Sequence, residues 1–328
     1  MRLQTADTVE IELAMRAPTS TLRQRALPRQ SRCPGVVRRC ALAGLVTVAF
    51  VLTACSPRHL IIQGIGNELA SQSEAEEDDL ALAREASAFY LKLSESLLRE
   101  NPGNLKLAQA VAGGFTQYAF AFVGFEAERL ESKDAKAAHL LNERARRLYV
   151  RANRHAMAAL EASSPGFAVA LASPDSRRWP VLSEAQVGVA YWAAASWGAA
   201  IALSKDNPDT VADLPLAYRL ARLALKVAPH YGQGSLASLM GSFESSMPGG
   251  STRQAAAYFD SAIALGAGRN AGAFVAKAEG IAQPASDRKA FESLLNQALE
   301  ASTTQRTVAN AVMRDRALWL LASADDLF

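Results

Sequence analysis

Apolar residues in this chain recur at the spacing of an α-helix. Leu107, Val111, Phe115, Tyr118 and Phe122 step by three or four and share one helical face. Pro and Gly punctuate the apolar segments at Pro102-Gly103, Pro165-Gly166, Pro208, Pro229, Pro248-Gly249-Gly250 and Pro284. Helix starts are marked as well. Ser183 with Gln186 forms a capping box beside a Leu182/Val187 staple, Ser251 with Gln254 repeats the device, and Ser286 is a third N-cap. The acidic cluster Glu74, Glu76, Glu77, Asp78 and Asp79 suits the positive end of a helix dipole. No alternating strand of useful length occurs, so the pattern predicts an all-α fold.

The helices also repeat. The second helix of a tetratricopeptide (TPR) hairpin places a small, a bulky and a small residue on one face, with a stop shortly after. Ala217, Ala221, Ala224 and Pro229 fit this in spacing, followed by Ala255, Phe259, Ala262 and Ala267, then Phe291, Leu295, Ala298 and Thr303. Looser matches end at Pro102 (Tyr90, Ser94, Leu97) and at Pro165 (Asn153, Met157, Leu160). The expectation is a degenerate TPR-like array of helical hairpins, a compact α-solenoid over residues 76–328. The run Gln186 to Ser204 carries no charge but holds Tyr191, Trp192 and Trp197 among small residues. Tryptophans in mid-run and a preponderance of Ala, Gly and Ser argue for a helix buried on every side, not a membrane span. Its small residues let neighbouring helices come close or leave an internal channel between them.

The N-terminal stretch has a different logic. Arg38-Arg39 precede an uncharged apolar run from Ala41 to Thr53, and Leu52-Thr53-Ala54-Cys55 closes it as a bacterial lipobox does. That run is short for a bilayer span. Residues 1–54 therefore read as a cleaved lipoprotein signal with an extended N-terminal region, Cys55 as the lipidated N-terminus, and 55–75 as a tether. Ser56, where a retention signal would place Asp, points to the periplasmic face of the outer membrane. The full chain carries net charge +3, but residues 1–54 hold eight Arg against Asp7, Glu10 and Glu12, which leaves the remainder at −2. Such a surface does not displace counterions from nucleic acid. Cys33 and Cys40 leave with the signal, so no disulfide or thiol chemistry remains.

Catalytic patterns are missing: no G-x-S-x-G, P-loop or H-E-x-x-H occurs, and no cofactor motif. His139 and Glu143 share a helix face but lack further metal ligands, so no metal site is expected. What remains is aromatic. Core packing accounts for most of these rings; Tyr118, Phe122, Trp192 and Trp197 are the candidates for lining a ligand groove or channel. In the terminal helix, Asn310, Arg314 and Arg316 are polar groups that serve as a solvated face or cap, or in recognition of a partner or carboxylate.

Several strings together resemble one family, the T component (TatT) of TPR-associated TRAP transporters. They are the lipobox; Glu77-Asp78-Asp79 with Ala83-Arg84-Glu85-Ala86; Gly114-Phe115-Thr116-Gln117-Tyr118-Ala119-Phe120-Ala121-Phe122; Tyr191-Trp192 with Ser196-Trp197-Gly198-Ala199; and Asn310 with Arg316-Ala317 before Asp325-Asp326-Leu327-Phe328. The resemblance implies a non-enzymatic periplasmic lipoprotein of TPR-like helix pairs with an internal channel. It further implies a homotrimer that docks the periplasmic solute-binding (P) subunit and helps deliver a hydrophobic solute. Ser94, where an apolar residue is usual, and Ser302-Thr303-Thr304, in place of a proline-containing turn, depart from the family pattern. The competing reading is a TPR lipoprotein scaffold for envelope assembly that takes no small ligand.

Overall fold

The computed structural model describes residues 79–328; Cys55, the signal, the tether and Glu74 to Asp78 lie outside them. Asp79 caps the first helix, accepting from the Ala81 and Leu82 amides at 3.0 Å each. The helices then follow in order: α1 (Leu80–Glu100), α2 (Leu105–Ala119), α3 (Phe125–Leu130), α4 (Ala135–Ser163), α5 (Phe167–Ala172) and α6 (Glu184–Ala202). Next come α7 (Pro208–Val211), α8 (Leu214–Val227), α9 (Ser235–Ser246), α10 (Thr252–Leu265), α11 (Ala271–Lys277), α12 (Arg288–Thr304), α13 (Val308–Ala322) and α14 (Ala324–Leu327). No β-strand occurs among the described residues. The protein is an all-α array of helical hairpins.

Hairpin neighbours pair as the repeat pattern requires: α2 with α4, α6 with α8, α9 with α10 and α11 with α12. The three stronger repeat matches all face inward. Ala217, Ala221 and Ala224 are buried, as are Ala255, Phe259 and Ala262, and Phe291, Leu295 and Ala298. Small residues here admit the partner helix, and the phenylalanines fill the space between hairpins. Of the two looser matches only Ser94 and Leu160 are buried, and a fully buried triplet lies one residue away, after the match in α1 and before it in α4. In α1 the buried triplet is Leu91, Glu95 and Leu98 while Tyr90 is exposed, and in α4 it is Ala152, Ala156 and Ala159. A one-residue shift turns a helix by about 100°, so counting back from Pro102 and Pro165 selects the neighbouring face.

Helix α6 is central. It packs against α2, α4, α8 and α9, and its buried residues point in every direction around the axis. The box at its start is present: the Gln186 carboxamide oxygen accepts from the Ser183 amide at 2.9 Å, and Leu182 and Val187 are both buried. Ser251 accepts from the Gln254 amide as expected, at 3.2 Å. Ser286 does not cap. It holds a positive φ of 54°, and Asp287 caps α12 by accepting from the Ala290 amide at 2.9 Å. No helix among the described residues is long and apolar enough to cross a membrane.

The array is closed by its ends. Helix α13 returns to touch α1, and Phe125 in α3 meets Trp319 in α13 edge-on at 5.6 Å. The C-terminal Phe328 ring packs against Phe291 of α12 at 5.2 Å.

Candidate functional site

Two wide turns break otherwise regular helices. Residues Phe120–Gly124, between α2 and α3, form a π-turn in which the Phe125 amide donates to the Phe120 carbonyl. Residues Ala278–Ala282, after α11, form a second, where the Gln283 amide donates to the Ala278 carbonyl at 2.9 Å. Each inserts a residue into the helical count, a device often found where a helix must redirect a side chain. At the first turn the insertion moves the apolar stripe. Leu107, Val111, Phe115 and Tyr118 are buried as the spacing predicts, but Val123 takes the next inward place and Phe122 is half-buried. Its ring meets Tyr118 edge-on at 5.5 Å.

The other two aromatic candidates sit on α6 and are half-buried against the main core. The Trp192 indole lies directly on Gly113 of α2: a Cβ built there would stand 2.7 Å from Trp192 Cε2. Tyr191 packs on Trp192 at 4.7 Å and on Tyr231 at 5.4 Å, and burial pushes its phenol up to about 12. Next to Trp197, the α6 backbone at Gly198 comes close enough to Phe243 that a Cβ would stand 2.9 Å from its ring. Tyr118 pairs with Phe122, whereas Trp192 rests on the α2 backbone; one shared ring cluster does not gather all four.

Of the polar candidates in α13, Asn310 is buried and fully engaged. It accepts from the Ala271 amide at 3.1 Å and donates to the Arg269 and Gln305 carbonyls at 2.9 Å each, fixing the turn before α11. Arg314 is exposed. Arg316 departs from the expected solvated face, being only 7% exposed. It forks onto Glu279, with Nε 3.1 Å from Oε2 and Nη2 2.7 Å from Oε1. Its Nη1 stands 2.8 Å from Glu128 Oε2 as an ion pair without hydrogen-bond alignment. The guanidinium also lies 5.5 Å from the Phe120 ring and 5.3 Å from that of Phe125. Glu279 belongs to the second π-turn and Phe120 to the first, so one cation ties both wide turns to the terminal helix. Burial works against the charge, yet the two carboxylates outweigh it and hold Arg316 protonated.

A second buried ion cluster has no counterpart among the sequence expectations. Glu95 in α1 is 2% exposed and accepts from Lys92 at 2.7 Å, from Arg151 through both carboxylate oxygens, and meets His155 Nε2 at 2.8 Å. Arg151 also lies over the Phe115 ring at 4.8 Å. The signal for it in the sequence is an acid on the inward face of α1, in the bulky position of the Leu91–Leu98 triplet. No group of three potential metal ligands occurs among the described residues.

The family model described as TRAP transporter T-component matches residues 76–328. An uncharacterized protein of Treponema pallidum (strain Nichols) is 28% identical over 321 residues, covering 89% of this chain and 98% of that one. A crystal structure of a thermophilic TPR protein from Thermus thermophilus superposes with a TM-score of 0.47 at 16% identity, covering 79% of this chain and 99% of that one.

Proposed function

The chain belongs to the TRAP transporter T-component family, and from that premise we propose that it acts as a lipid-anchored accessory that docks the periplasmic solute-binding subunit and handles a hydrophobic solute. The observation that carries this reading is the family match across the whole helical array. The anchor assigned to it is an acylated Cys55, with the array on the periplasmic face of the outer membrane and a homotrimer as its assembled state. Solute contact falls to the interior rings Tyr118, Phe122, Trp192 and Trp197, which combine apolar faces with polar edges on Tyr118 and the tryptophans. Arg314, the exposed cation of the terminal helix, is the candidate for partner recognition; Asn310 and Arg316 serve by fixing the α11 and α13 region. The array has no nucleophile–base pair in evidence among its motifs, and the function proposed is non-enzymatic.

The test is affinity capture from membranes with the full acylated chain, followed by native mass spectrometry of the eluate. Recovery of the solute-binding subunit supports docking, and copurifying fatty acid or other apolar ligand supports solute handling. Loss of the first overturns the accessory reading. The close seating of Trp192 on Gly113 favours a second reading, a scaffold for envelope assembly with no interior ligand, which predicts capture of protein without any bound small molecule.

A further inference from the structure

Away from the aromatic interior, a surface groove of about 860 Å³ runs between the segment 176–181 and the hairpin formed by α8, α9 and α10. Its floor is apolar, with Leu225, Ala237, Tyr258 and Leu265. Its cations are Arg177, Arg222 and Lys226, His230 lies beside them, and no Asp or Glu is among its lining residues. Arg177 is paired with Asp175 at 2.9 Å just outside the groove; Arg222, Lys226 and His230 are exposed. Glu244 is not among the lining residues and accepts from the Tyr218 hydroxyl at 2.6 Å.

The wall is held in place. The Trp179 indole donates to the Ser173 carbonyl at 2.9 Å, and its ring is covered by Arg219 at 4.2 Å and Arg222 at 5.4 Å. Arg219 in turn donates to the Leu171 and Ser173 carbonyls, the latter at 3.0 Å. On the rim beside this fixed ring, Val181 is 92% exposed, an apolar side chain with nothing over it.

We infer that this groove receives an acidic, aliphatic-bearing extended segment of the solute-binding subunit. The inference rests on the docking reading above and names its surface. Three features select a protein segment. The cations line a rim open to water, where they meet carboxylates without full desolvation and steer the encounter. The floor presents apolar Leu225, Ala237 and Leu265, against which aliphatic side chains can be buried. An isolated small apolar ligand is normally enclosed over most of its surface, and a groove with exposed Val181, Arg222 and Lys226 along its edge leaves it wet.

The experiment titrates the full acylated chain in detergent against the solute-binding subunit, comparing wild type with Arg222→Glu/Lys226→Glu and, separately, Val181→Asp. A charge-matched control, Lys106→Glu/Lys136→Glu, alters two exposed cations that do not line the groove. Thermal melting verifies that each variant is folded. The expected result is a loss of affinity of at least about tenfold for both groove variants, little change for the control, and weakening of the wild-type complex as salt is raised. Groove variants that bind like wild type overturn the placement while leaving the docking reading intact. A shift of Trp179 emission on adding decanoate, absent from Trp179→Phe, together with unaffected complex formation also overturns it and assigns the groove to a small amphiphile. If wild type forms no complex, the docking reading itself falls, and this placement with it.

Discussion

Arg316 clasps Glu279 through two parallel hydrogen bonds, at 3.1 and 2.7 Å, and the pair joins α13 to the second π-turn. A bidentate fork on a carboxylate is strong and directional, and lysine cannot reproduce it. Removing the cation leaves Glu279 and Glu128 facing each other with no positive charge between them. Arg316→Ala is expected to destabilise by about 3 kcal/mol, and Arg316→Lys by a substantial part of that. Chemical denaturation with matched m-values checks this; a loss below that of an ordinary surface substitution contradicts the role assigned to the pair.

Glu95 carries a pH dependence. Burial raises its pKa, but hydrogen bonds from Arg151, Lys92 and His155 and the Arg151 charge outweigh burial and hold the carboxyl well below its usual range. A carboxyl depressed in the folded state adds stability that is fully present above the unfolded value of about 4.3 and is lost as pH falls through the folded one. Glu95→Gln is therefore expected to destabilise by about 2 kcal/mol near pH 6, with the gap to wild type narrowing toward pH 3. Urea midpoints of both proteins across that range give the answer. A gap constant with pH would show that the carboxylate charge is not what holds α1 to α4.

Gly113 is required by Trp192. Any side chain at 113 collides with a ring already seated on the α2 backbone, and the core has little room to yield. Gly113→Ala is expected to cost about 1 to 3 kcal/mol despite the higher helix propensity of alanine. Trp192→Leu in the same background should recover part of that loss. A double-mutant cycle reads the coupling, and independent, additive effects would contradict the contact.

At the start of α12, the capping group and the residue under strain are neighbours. Asp287→Ala removes the bond to the Ala290 amide and should cost about 1 kcal/mol. Ser286→Gly relieves a φ of 54° and should be neutral or slightly stabilising. Melting temperatures of the two variants should move in opposite directions or one not at all; equal losses would restore Ser286 as the cap.

Helical period, the caps at Ser183 and Ser251 and the three inward-facing repeat triplets are readable in the sequence because each depends on residues a few positions apart. Leu182, Ser183, Gln186 and Val187 are one such local set, and the structure reproduces it. The fold's closure is not readable in this way. Arg316 finds Glu279 and Glu128 only because α13 returns toward α3, and nothing near position 316 in sequence announces partners so distant. The π-turns escape for a related reason. An inserted residue leaves Phe120-Ala121-Phe122-Val123-Gly124 looking like ordinary helix, so the apolar spacing runs on to Phe122 when Val123 is the residue turned inward. The off-by-one triplets in α1 and α4 show the weakness of counting from a stop residue, since the last turn and the proline need not keep a fixed distance. Glu95 is visible as an acid inside an apolar triplet, but two of its three basic partners, Arg151 and His155, depend on α4 crossing α1.

The account as a whole depends on this helical array binding its transporter's solute-binding subunit. Sedimentation velocity on the acylated full chain in detergent micelles, titrated with that subunit, tests it most directly. The account predicts a faster boundary that grows to saturation at fixed stoichiometry and recedes as salt is raised. Two boundaries that keep their separate sedimentation coefficients at every ratio would contradict it.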